Sequence, residues 1–172
     1  MNKSLVDPYA KLEKTKSEIL VAVSTMTQKD YLRRRNNKWS VAQILTHILT
    51  SEQLALSYMR KKYLGANQLK DSSWLEPLKL LVLKISQRLP FRYKAPKTIL
   101  DKTPEPLSFS ELSEQWAKSR NELRVFLDSI PDKHARKKFF KHPIAGMFDV
   151  AQGLVFLREH LIHHIPQIKR YL

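Results

Sequence analysis

Apolar residues recur every three to four positions along the long segments of this chain, and no segment shows the sustained two-residue alternation of a half-buried strand. The pattern predicts an all-α fold. A first helix is expected to open at Asp7-Pro8, an acceptor side chain followed by a proline at the first helical position, and to run to about Thr27 through Leu12, Ile19, Leu20 and Val23. A basic connection from Lys29 to Lys38 follows. Ser40-Val-Ala-Gln43 has the spacing of a capping box, in which the serine oxygen and the glutamine side chain satisfy each other's free backbone N–H groups. It predicts a helix over 41–64 with Gly65 as its stop.

Between Asn67 and Pro106 the period weakens. Residues 75–89 predict a short amphipathic helix, and Pro90, Pro96, Pro104 and Pro106 in the stretch PFRYKAPKTILDKTPEP forbid its continuation. This region reads as a long crossover connection. Ser108-Phe-Ser-Glu111 is a second capping box, opening a helix to about Asp128 that turns Leu112, Trp116, Leu123 and Phe126 or Leu127 inward and stops before Pro131. Asp149-Val-Ala-Gln152 opens the last helix, in which Pro166 predicts a kink or an early loosening. Four long helices and one long crossover with a short extra helix predict a four-helix bundle.

The chain's 172 residues suffice for a single domain over 1–172 with its own core. The absence of cysteine excludes a disulfide scaffold, an iron–sulfur cluster, a thiolate zinc site and a cysteine nucleophile. Gly65, Gly146 and Gly153 stand too far apart for a dinucleotide fingerprint or a phosphate-cradling loop. The amino-terminal MNKSLVDPYAKLEK lacks the apolar core of a secretory signal, and no segment approaches the ~18 uncharged apolar residues of a membrane span. A cytoplasmic protein without membrane insertion is expected. The segment from Leu78 to Leu89 carries Lys79, Lys84 and Arg88, as suits an amphipathic helix lying on a partner surface, here expected to be the protein itself.

Charge adds a second line of reading. The chain has 31 basic and 16 acidic side chains, a formal charge of +15. Arg33-Arg34-Arg35 with Lys38, Arg60-Lys61-Lys62, and Lys133 with Arg136-Lys137-Lys138 and Lys141 form clusters that can meet phosphates, as a nucleic-acid binder requires. No nucleic-acid-binding motif accompanies them, and such clusters are commonly solvated surface or serve to draw in an anionic small substrate. A basic binding or structural bundle without catalysis is therefore the alternative reading.

The chemistry rests on histidine. Six are present, at positions 47, 134, 142, 160, 163 and 164. With residues about 100° apart, the last helix presents Val150, Leu154, Leu157, Leu161, Ile168 and Leu172 as one aliphatic stripe, opposite Arg158, Glu159, Lys169 and Arg170. His160 and His164 lie on one side of that stripe and one turn apart, a spacing that lets them share an ion, whereas His163 falls beside the charged arc. On the second long helix His47 borders the apolar face and can look into the bundle. Three imidazoles from two facing helices have the geometry of an open metal site that keeps a position for water or substrate. Each histidine also has a plainer reading as a satisfied core residue. His142 is read as support for the start of the last helix or as a proton donor at the site mouth, and His134 is given no role. Gln167, one turn beyond His164, is read chiefly as a structural hydrogen-bonding group, Ser51 as a candidate partner for an imidazole, and Glu159 as pointing away. Trp39, Trp74 and Trp116 are read as core or helix-entry anchors.

The stretches KWSVAQILTHILTSEQLALSY (38–58) and HPIAGMFDVAQGLVFLREHLIHHIPQIKRYL (142–172) resemble the two signature segments of the DinB/YfiT-like superfamily, in the same order along the chain. FRYKAP (91–96), WAKSR (116–120) and the His-Pro-x-x-Gly lead-in to the last helix resemble its DinB-like subgroup. The resemblance implies an up-down-down-up four-helix bundle with a divalent metal on three histidines, matched here by His47, His160 and His164. It further implies a metal-dependent hydrolase or a thiol transferase acting on a small molecule, such as a low-molecular-weight thiol or an anionic compound, and a homodimer. All-nitrogen ligation suggests zinc or nickel.

Overall fold

The computed structural model describes residues 1–35, 38–88, 105–142 and 145–172. The stretch 89–104, with the FRYKAP element and most of the proline-rich crossover, lies outside the described residues.

Helix α1 spans Lys3–Ser24 and begins before the expected Asp7-Pro8, because the Asn2 side chain accepts the Ser4 N–H at 2.8 Å and caps the chain earlier. Pro8 thus lies inside the helix. Only the bond to the Ser4 carbonyl is forfeited there, near an end where backbone partners are already few. Leu5, Leu12 and Ile19 recur at seven-residue intervals on the buried side, with Val23 one turn further. The expected basic connection starts instead with a short helix, α2 (Gln28–Leu32), capped by Thr27. Its five residues are too few to show a period, yet it buries Tyr31, whose ring meets Phe109 edge-on at 6.0 Å.

Helix α3 (Val41–Tyr63) opens with the expected box: Gln43 N–H donates to Ser40 Oγ at 3.2 Å and Ser40 N–H to Gln43 Oε1 at 3.0 Å. Gly65 follows its end without a left-handed φ, and the chain goes on through a 3-10 turn, Ala66–Gln68. Helix α4 (Leu75–Arg88) is fixed at its start by Glu76, whose carboxylate accepts the backbone N–H and hydroxyl of Ser73, each at 2.6 Å. Those bonds hold the Glu76 carboxyl down to about 2. Helix α5 (Phe109–Asp128) carries the Ser108–Glu111 box, and Leu112, Trp116, Leu123, Phe126 and Leu127 are all buried as expected. Helix α6 (Val150–Ile168) carries the Asp149–Gln152 box and continues through Pro166.

Between α5 and α6 two three-residue strands, β1 (Phe140–His142) and β2 (Gly146–Phe148), pair antiparallel. Strands this short carry no legible alternation. Their turn holds the one position where glycine's freedom is needed, Gly146 at φ +85°. At Gly153 the requirement is space: an added Cβ would stand 2.7 Å from the Phe140 ring, so β1 lies directly on α6.

Helices α1, α6, α3 and α5 neighbour one another in a closed ring, and α4 packs on the outer side of α6. This mostly helical arrangement covers part of the charged arc of α6. Glu159 is buried, with Lys84 Nζ of α4 at 3.9 Å and the Arg158 guanidinium at 3.8 Å, while Arg158 Nε–H donates to Thr15 Oγ1 of α1. Arg158 and Glu159 face two other helices because α1 and α4 flank α6, whereas Lys169 and Arg170 are exposed. A second polar group is buried between α3 and α5. Glu52 accepts from Trp116 Nε1 and from the Arg120 guanidinium, both at 2.7 Å, and Glu13 of α1 lies 3.3 Å from Arg120 Nε.

Candidate metal centre

Two capped helices place three imidazoles together. His47 stands two turns into α3, and His160 and His164 stand one turn apart on α6. One nitrogen from each lies within 4.8 Å of the others. The His160 and His164 Nε2 atoms are 3.2 Å apart, close to the ~3.3 Å between two nitrogens on one tetrahedral zinc-sized ion. The His47 ring sits 5.4 Å from each of the other two ring centres. His47 and His164 are buried and His160 is partly exposed.

The surroundings keep these rings neutral. Burial pulls His47 down to about 4, with nearby His163 adding to the shift. Burial likewise brings His164 to about 3, with His47 and His163 reinforcing it, and drives His160 well below the ordinary imidazole value. Neutral imidazole is the ligating form. The orientation of His164 is fixed by Gln167, whose side-chain oxygen lies 3.2 Å from Nδ1 and accepts its N–H, leaving Nε2 with a lone pair. His47 Nδ1 is buried and finds no hydrogen-bond partner among the described residues. Aromatic walls complete the setting: Trp39 lies against His47 at 5.1 Å, and Phe156 stacks parallel to His160 at 6.1 Å.

Other sequence candidates fall elsewhere. Ser51 donates its hydroxyl to the His47 backbone carbonyl at 2.8 Å, so it serves the helix and does not orient an imidazole. His142 is buried beside Phe156, accepts the Ala145 N–H on Nδ1 and is lowered to about 4 by burial, which fits support of the turn into α6. His134, given no role from the sequence, ties Tyr63 to Asn67 through its two ring nitrogens, at 3.3 and 2.8 Å. His163 lies beside the cluster, its ring 5.1 Å from that of His164. Trp116 is a core anchor as expected, but Trp74 is exposed. Several clustered cations are engaged: Arg33 pairs with Asp30, Arg60 with Glu122, and Arg35 donates to the Arg170 carbonyl.

Phe156 escapes the sequence reading, and Trp39, read there as a core or helix-entry anchor, lies against an imidazole of the cluster. Phe156 sits four residues before His160, a spacing that alone would have placed it on the same side of the helix. Trp39 precedes the helix cap, where no periodicity applies.

The chain is similar to a solved structure of YfiT from Bacillus subtilis, described as a probable metal-dependent hydrolase with an unusual four-helix bundle topology. The likeness has a TM-score of 0.61 at 18% identity and covers 99% of this chain and 87% of YfiT, which establishes a shared fold. No curated protein matches the sequence significantly. The family model of the DinB superfamily matches residues 11–168, from α1 to the end of α6, and the chain therefore belongs to that superfamily.

Proposed function

We propose that His47, His160 and His164 hold a divalent metal ion and that the protein is a metal-dependent hydrolase acting on a small molecule. The convergence of the three rings from two helices carries this reading. The buried Nδ1 of His47, unpartnered among the described residues, supports it as well, because no protein hydrogen bond at that atom holds the ring away from an ion. So does the donor set. Neutral nitrogens without carboxylate or thiolate suit zinc or nickel. YfiT, described as a probable metal-dependent hydrolase, shares the fold.

A divalent ion so held polarises a substrate oxygen and lowers the pKa of water. The chain's own residues supply the rest. Gln167 orients His164, Trp39 and Phe156 shield the rings from bulk water, and the partly exposed edge at His160 admits the substrate. The net charge of +15 draws anionic compounds toward this opening, so an anionic substrate is the class proposed.

Metal content after reconstitution with zinc or nickel tests the reading. Wild-type protein should retain a stoichiometric ion, and His47→Ala, His160→Ala and His164→Ala should each lose it while staying folded by circular dichroism. Wild-type protein that retains no ion overturns the proposal.

A further inference from the structure

Helix α4 is apolar on the side turned away from the protein. Glu76, Leu80 and Leu83 face the core, whereas Trp74, Leu75, Leu78, Leu81, Val82 and Ile85 are between 42% and 77% exposed. With residues about 100° apart, the five exposed residues of the helix fall within an arc of about 120° opposite the buried one. Lys79 and Lys84 stand at its two borders. Scattered exposed apolar residues need no explanation, but a contiguous stripe led by a tryptophan marks a contact surface. The helix lies on the protein itself, as expected, through its other face, where Leu80 is buried.

The neighbouring chain is basic. Ser72 N–H donates to the Arg136 carbonyl and Lys138 N–H to the Lys70 carbonyl, and an isolated bridge pairs Asp71 with Lys137. These bonds stitch the cluster at 133–141 to the segment that leads into Trp74. Segments 70–85 and 133–141 together carry eight lysines and arginines against two carboxylates. The tertiary structure thus joins two features that are far apart in the sequence, an apolar helix face and a cationic cluster.

We propose that this surface docks on an anionic lipid bilayer, with α4 lying in the interface plane and the cluster around Arg136 meeting headgroup phosphates. The charge decides the occupant. A second copy would bring another +15 chain and the same cationic margin against this one, whereas an anionic membrane complements it. Lys84 stays beside the buried Glu159 and Lys79 near Glu76, so contact with headgroup phosphates falls to the exposed cations of the cluster, Lys133, Arg136 and Lys141. The helix is 14 residues long, far short of a span, and no described helix is long and apolar enough to cross a membrane. The inference goes beyond the metal site and stands independently of it.

Vesicle co-sedimentation of the full chain tests it, with phosphatidylcholine alone and with about 30% phosphatidylserine added. Wild-type protein should bind only the anionic vesicles, with a blue shift of fluorescence that Trp74→Phe removes. Leu81→Glu and Ile85→Glu, both at exposed positions, should weaken binding at least about tenfold without loss of thermal stability. No binding to anionic vesicles overturns the proposal. So does binding that both glutamate variants leave unchanged, which would be adsorption by charge alone, and so does a wild-type dimer that Leu81→Glu converts to monomer in the absence of vesicle binding.

Discussion

The Nε2 atoms of His160 and His164 face each other across 3.2 Å, one turn apart on α6. Since His164 Nδ1–H donates to Gln167, its Nε2 is an acceptor, and in the metal-free molecule His160 must supply the hydrogen between them. An ion can take that hydrogen's place once the His160 proton moves to Nδ1. In the proposed metal-bound form, α6 would therefore need no repacking.

Gln167 is the partner that fixes His164, so Gln167→Leu should lower metal affinity about 10- to 100-fold while leaving the fold intact. Competition with a chromophoric chelator, alongside a thermal melt of the metal-free variant, checks this. Unchanged affinity would mean that His164 is oriented by packing alone.

The depressed imidazoles make metal-free stability depend on pH. His47 is at about 4 and His164 at about 3 in the folded chain, against an ordinary value of 6.5. As pH falls below about 6.5 the unfolded chain takes up protons that the folded chain does not, so stability falls with pH and levels off below the folded values. His142, at about 4 by burial, adds in the same direction. Urea unfolding of the metal-free protein at pH 7.5, 6 and 5 should give steadily lower midpoints, and an unchanged midpoint across that range would contradict the burial argument.

Glu52 and Arg120 form an ion pair at 2.7 Å, buried between α3 and α5. Burial pushes the Glu52 carboxyl up, and Arg120 and the Trp116 N–H pull it back. Glu52→Ala leaves the guanidinium buried with only Glu13 nearby and should cost about 3–5 kcal/mol by denaturant unfolding. Replacing Glu52 and Arg120 together with apolar residues should cost less than Glu52→Ala alone, because no unpaired charge then remains in the core.

Gly153→Ala tests the seat of β1 on α6. Its methyl would meet the Phe140 ring near its attachment, at 2.7 Å from Cγ and 3.0 Å from Cβ, where rotation of the buried side chain gives little relief. A loss of about 1–3 kcal/mol is expected, despite alanine's better helix propensity. A more stable variant would show that the ring moves aside freely.

The sequence by itself determined the helices that form the bundle and the three histidines. Their boxes at Ser40, Ser108 and Asp149 and their apolar periods are local, and local hydrogen bonds and burial patterns hold whatever the neighbours are. The early start of α1 at Asn2 and the five-residue α2 were lost for the opposite reason: a cap must be chosen among competing acceptors, and five residues show no period. Only tertiary structure decided that Glu159 is covered by α4, that Glu52 meets Arg120 across two helices, and that Trp39 and Phe156 wall the imidazoles. Such contacts depend on which helix lies beside which, and a periodicity tells which face of a helix is apolar without naming what will cover it.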